Sequence, residues 1–297
     1  MIMLDFMQKP LWVREKEVTD FCEKLYYSFQ KRRRKELDEW SDKYLPISAF
    51  IDNKKASKSP FVEVMVADFK TLCKLRRYLR KRSITMGNEL KKYLIDTAYQ
   101  KVNHKEFTKL LGGTVCPYCN RNYISSTNSS TTSQFDHFFN KDKFPIFAVS
   151  FYNLIPVCPS CNRIKHIHDF SYSPYDRSVS PDQMYAFNYY ITGSRYMRDC
   201  RQIKIIIDEK LASKMRRNKE ILKLEDLYQI HGDVVVELLQ KKHIYTSDYL
   251  MYIKNTLSIQ ESDLRRIITF AYTDEVDYGK RALSKFITDI SKNIKLI

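Results

Sequence analysis

Four cysteines fall into two tight pairs, Cys116 and Cys119 in "CPYC" and Cys158 and Cys161 in "CPSC". A two-residue gap lets one tight turn aim both sulfurs of a pair at a single ion, and four thiolates close a tetrahedral zinc shell. Such a shell leaves no open coordination position, so the spacing predicts a structural zinc rather than a catalytic one. Chemistry, if present, must come from the residues between and just after the pairs. There "QFDHFF" sets Asp136 beside His137, "FYN" supplies Asn153, and Asn162, Arg163 and Lys165 follow Cys161 directly. Cys22, Cys73 and Cys200 stand singly and read as core residues.

Stepping outward, the elements that must hold these residues change texture along the chain. Residues 1–105 read as a basic helical region in which lysine and arginine outnumber aspartate and glutamate 24 to 14. In "FKTLCKLRRYLRKR", Phe69, Leu72, Leu75 and Leu79 recur at three- and four-residue steps, and Arg76, Arg77, Arg80 and Lys81 fall elsewhere, which predicts a helix with an apolar seam and a basic flank. Residues 106–175 are irregular, with a Gly-Gly pair, the polar loop "ISSTNSSTTS", and two aromatic runs, "QFDHFF" and "FPIFAVSF", suited to strands. Strand alternation points Asp136 and His137 to opposite faces unless the strand ends or twists there. Residues 176–297 return to helical spacing, as in "NKEILKLEDLYQIHGDVVVELLQKKHIY", which Gly232 is expected to interrupt. The fold class expected is mainly α with a small α+β centre.

A net charge of +16 attracts polyanions, so nucleic acid is the expected partner class. No run of apolar residues reaches the roughly 20 needed to span a bilayer, and "MIMLDFMQKPLWVREKE" lacks the pattern of a secretory signal. Paired rather than dispersed cysteines suit a reducing compartment, and the expectation is a cytoplasmic protein with no membrane partner. No G-x-x-x-x-G-K-[ST] occurs, so ATPase activity is not expected of this chain.

Over residues 114–168, the order Cys-x-x-Cys, Asp-His, Asn-Leu, Cys-x-x-Cys-Asn-x-x-Lys resembles the HNH endonucleases. "FDHFFNKDKFPIFAVSFYNLIPVCPSCN" is similar to the HNH subunits of Septu-like bacterial anti-phage systems, which pair a nuclease with a separate ATPase. The resemblance implies a ββα-metal core of two short strands and a helix around one divalent ion, flanked here by helical regions. It also implies hydrolysis of phosphodiesters in DNA or RNA, and an ATPase partner subunit. Within it, His137 is the expected general base, since a neutral imidazole accepts a proton near neutral pH. Asp136 and Asn162 are the expected oxygen ligands of the catalytic ion. Asn162 stands where many members have histidine, which favours Mg²⁺ or Mn²⁺. Asn153 is expected to orient the His137 ring or to tie the loop between strand and helix. Lys165 and Arg163 are expected phosphate contacts, with Arg121 a weaker one, and His166 and His168 surface or phosphate contacts. The competing reading is a non-catalytic zinc ribbon that binds nucleic acid or mediates assembly, needing only the cysteines and a basic surface.

Overall fold

The computed structural model describes residues 1–4, 9–50, 59–125 and 130–297, so part of the polar loop at 124–133 lies outside the described residues. The protein is mainly helical, 59% helix against 9% strand, with two small two-stranded sheets. No helix among the described residues is long and apolar enough to cross a membrane. The chain forms two compact units, one from residues 5–112 and 125–162, the other from residues 1–4, 113–124 and 163–297. The division by sequence texture at 105 and 175 is a separate description of the same chain.

The first of these units opens with helices α1 (Leu11–Tyr27), α2 (Lys31–Tyr44) and α3 (Ile47–Phe50). Helix α4 (Pro60–Val66) is its buried centre. Ser59 caps it by accepting from the Val62 N–H, Pro60 starts it, and Phe61, Val62, Val64 and Met65 are all enclosed. Helix α5 (Phe69–Lys81) is the predicted amphipathic helix: Asp68 caps it through the Thr71 N–H, and Leu72, Leu75 and Leu79 are buried. After α6 (Asn88–Lys92) comes a π-helical turn, Tyr93–Ala98, and a 3-10 turn, Tyr99–Lys101; then α7 (His104–Leu111), capped by Asn103, ends at Gly112 in the left-handed conformation.

Strand β1 (Gln134–His137) pairs antiparallel with β2 (Leu154–Val157), bringing Phe135 opposite Pro156 and His137 opposite Leu154. Stacked rings seat β1: Phe107 of α7 lies 4.6 Å from Phe135 and 4.3 Å from Phe151 by ring centroids. "FPIFAVSF", expected as a strand, is instead a 3-10 turn at Pro145–Phe147 within a buried, irregular run. Pro145 has no N–H for a sheet ladder, and burial of successive residues leaves no exposed strand face. Helix α8 (Pro159–Lys165) follows β2 after a single residue, Cys158.

The other unit holds α9 (Pro181–Met184) and a hairpin of β3 (Tyr185–Ile191) and β4 (Ile203–Glu209). The sequence reading of this region as helical missed that hairpin. Helices α10 (Ala212–Leu222), α11 (Leu224–Tyr228) and α12 (Gly232–Ile244) follow the predicted period, with one break at Lys223, left-handed at φ 49°, and the expected one at Gly232, after a 3-10 turn at Gln229–His231. Gly232 begins α12, and a Cβ there would lie 2.5 Å from the Cys200 carbonyl oxygen, a contact only glycine avoids. Helices α13 (Ser247–Leu257), α14 (Glu261–Thr269) and α15 (Ser284–Asn293) complete the unit. The Lys285 ammonium of α15 is fully enclosed, 2.7 Å from Asp289 and 2.9 Å from Asp182.

Candidate metal centre and active site

The first cysteine pair lies on a tight knuckle. Val115 bridges Tyr123, the Asn122 carbonyl accepts from the Cys116 N–H at 2.9 Å, and the Cys116 carbonyl accepts from the Asn120 N–H at 2.8 Å. Asn120 is left-handed at φ 51°, which turns the chain so that the Arg121 N–H donates to Cys119 Sγ at 3.4 Å. The Asn120 side chain donates to the Tyr278 carbonyl and accepts from the Lys285 N–H, and the Tyr228 hydroxyl donates to the Cys119 carbonyl at 2.6 Å. The second pair brackets the start of α8. All four cysteines are buried, with their sulfurs within 4.8 Å of one another. A tetrahedral zinc with sulfurs at ~2.3 Å needs S···S separations of about 3.8 Å, so the donor set fits such an ion. This cluster can hold a metal ion such as zinc.

On β1, which ends at His137, burial runs exposed, buried, buried, half-buried from Gln134 to His137. Phe135 and His137 both meet rings of the preceding segment, His104 and Tyr99. His104 stacks on Phe135 at 4.1 Å, and burial holds its imidazole below the usual histidine range. His137 Nε2 lies 2.9 Å from the Ala148 carbonyl oxygen. A carbonyl only accepts, so Nε2 carries a proton; in the neutral ring the lone pair is then on Nδ1, the form a general base requires. Asp136 is buried at 4% exposure. The Asn162 amide Nδ2 donates to Gln134 Oε1 at 2.9 Å, which ties the start of α8 to β1 and leaves Asn162 Oδ1 as an oxygen donor. Among the described residues Asp136 belongs to no cluster of three or more histidine, cysteine, aspartate or glutamate side chains that could hold an ion.

Asn153 is fully buried and its amide is committed to the loop after β1. Its Oδ1 accepts from the Phe139 N–H at 2.7 Å, and its Nδ2 donates to the carbonyls of Phe139 and Phe147 at 3.2 and 2.9 Å. Of the two roles expected for it, tying the loop is the one its hydrogen bonds serve; the His137 ring is held by Ala148 instead.

Two expected phosphate contacts are corrected. Lys165 is buried at 2% exposure, with its ammonium 5.7 Å over the Phe170 ring, so the fold encloses this charge instead of presenting it to a phosphate. Arg76 lies over the rings of Phe139 at 4.8 Å and Phe144 at 5.6 Å, with its Nε buried and without a hydrogen bond. Its position on α5 turns it off the basic flank and into aromatic packing. Arg77, Arg80, Lys81 and Arg163 are exposed, as are His166 and His168. Arg121 donates from Nε to His231 at 3.0 Å, giving His231 a partner that its sequence neighbours do not indicate. Sequence reasoning also passed over Gln134, which strand alternation from Asp136 could have found, and Tyr99, for which the sequence offers no signal.

No protein-family model, curated protein or solved structure matches this chain.

Proposed function

We propose that the protein is a metal-dependent HNH-type endonuclease that hydrolyses phosphodiester bonds in nucleic acid, with the β1–β2–α8 segment as its ββα centre and the four cysteines as a structural zinc frame. The observation that carries the reading is the end of strand β1. A histidine bonded to a backbone carbonyl stands next to a buried aspartate, and an asparagine of the following helix is tied to the same strand. A zinc frame alone requires none of this.

In the proposed reaction His137 Nδ1 takes the proton of the attacking water, and the Ala148 carbonyl keeps the ring aimed and stabilises the imidazolium as it forms. Asp136 and Asn162 Oδ1 are the groups that would hold a hard divalent ion, Mg²⁺ or Mn²⁺. Such an ion supplies charge stabilisation for the phosphate and the leaving oxygen. Asn153 keeps the loop from Phe139 to Phe147 in place, and through it the Ala148 carbonyl. The resemblance to Septu-like subunits adds an ATPase partner and a role in anti-phage defence, to be tested by co-expression with the genomic neighbour and co-elution.

The deciding experiment incubates plasmid DNA and total RNA with the chain and its co-eluting partner in Mg²⁺, Mn²⁺ or EDTA. Cleavage that EDTA stops, that Mg²⁺ or Mn²⁺ restores and that His137→Ala abolishes is the expected outcome. The general base contributes about 10²- to 10⁴-fold in rate. Tight binding without cleavage under every metal condition would return the protein to the zinc-ribbon reading.

A further inference from the structure

The His137 ring meets a side chain from outside the strand–strand–helix segment. Tyr99 lies 4.8 Å from it by ring centroids, the planes tilted by 54°. The same phenol ring lies 6.1 Å from His104, and the Lys141 ammonium sits 5.0 Å from its centroid. What brings Tyr99 here is an uncommon backbone. A π-helical turn at Tyr93–Ala98 passes directly into the 3-10 turn that Tyr99 begins. A π turn places more residues in each turn than an α-helix and so re-aims every side chain after it; such turns are rare and concentrate at functional sites.

The Tyr99 hydroxyl has no hydrogen-bond partner among the described residues, although the side chain is half-buried. Its oxygen is not one of the fully buried, unpaired polar atoms, so water can reach it and a ligand oxygen can take the place of that water. Burial, and then the charge of Asp136, push the phenol up to about 12, which favours the protonated, hydrogen-bond-donating form.

We propose that Tyr99 is a further catalytic residue of this centre, donating a hydrogen bond from its hydroxyl to a nonbridging oxygen of the scissile phosphodiester while its ring packs against the His137 imidazole. The inference rests on the hydrolase reading above. In the reaction the water oxygen forms the new bond to phosphorus and its proton passes to His137 Nδ1. The bond from phosphorus to the leaving oxygen breaks, and that oxygen takes a proton from solvent. Tyr99 is not consumed. Its hydrogen bond strengthens as negative charge grows on the nonbridging oxygen, so it acts on the transition state more than on bound substrate.

The test compares Tyr99→Phe, which keeps the ring and loses the hydroxyl, with Tyr99→Leu, which loses both, in steady-state cleavage by the full chain with its co-eluting partner in Mg²⁺ or Mn²⁺. Tyr99→Phe is expected to lower kcat by about 10²-fold with KM little changed and the acid limb of the pH profile in place, since the ring beside His137 remains. Tyr99→Leu is expected to lower kcat at least as far and also to move the acid limb. Wild-type kcat in Tyr99→Phe, or a loss confined to KM, would overturn the proposal while leaving the hydrolase reading intact. A wild-type protein that cleaves nothing would overturn both.

Discussion

A histidine and an aspartate adjacent in sequence are given different jobs in the proposed reaction. His137 is aimed by one carbonyl acceptor, and Asp136 is buried beside it. Their substitutions should therefore differ in kind. Asp136→Ala is expected to recover part of its cleavage as Mn²⁺ is raised, because a weakened metal site refills by mass action, whereas His137→Ala should stay inactive at every metal concentration. A titration of cleavage rate against Mn²⁺ for both variants separates the roles; identical curves would deny them. Asn153 shows a third mode of action. Its amide satisfies two carbonyls and one N–H in a buried site, and alanine would leave the Phe139 N–H and carbonyl without it, while the Phe147 carbonyl keeps the Ser150 N–H. Each orphaned buried group costs about 1–3 kcal/mol. Asn153→Ala should lower the thermal midpoint measurably by circular dichroism, with activity lost alongside stability. Asn153→Asp should be at least as destabilising, since it turns a buried carboxylate oxygen toward two carbonyl oxygens.

Elements carry the site as much as residues do. The knuckle at Cys116 and Cys119 is set by backbone bonds around a left-handed Asn120, and the second pair by the start of α8, so the sulfurs converge from two local structures. Metal analysis of protein purified without chelator should return about one zinc per chain, and Cys158→Ser should return clearly less and lose solubility. Zinc-free wild-type protein that stays folded would refute the frame. This convergence was legible in the sequence because metal-ligand spacing is a short-range constraint, and helix α5 was legible because its leucines keep the helical period. Other elements were not. In "YAFNYYI" and "IKIIIDE" alternate residues are buried, but the helical texture around them masked a period of two. "FPIFAVSF" has strand composition, yet burial of nearly every residue and Pro145 make it a turn. The π turn before Tyr99 arises from "YLIDTA", a string that reads as plain α-helix, since the extra residue per turn answers to packing that no local pattern reports.

At the scale of the whole molecule, an excess of 16 positive charges makes the long-range field a property of the chain, but the contacts that convert a field into affinity are individual exposed cations. The structure sorts α5 accordingly. Arg76 is spent on Phe139 and Phe144, while Arg77, Arg80 and Lys81 reach solvent. Arg80 and Lys81 also occupy the last turn of α5, where a cation favours the helix dipole and a carboxylate would oppose it. Charge reversal would thus mix lost binding with lost helix stability, and glutamine is the cleaner probe. Replacing Arg77, Arg80 and Lys81 together by glutamine should weaken nucleic-acid binding and reduce the slope of log affinity against log salt by about one unit for each phosphate contact removed, with the melting temperature nearly unchanged. Arg76→Gln should behave in reverse, lowering the melting temperature while leaving the salt slope where it was. A triple variant that keeps the wild-type slope would show that nucleic acid does not run along α5, and a changed slope in Arg76→Gln would contradict its assignment to the aromatic core.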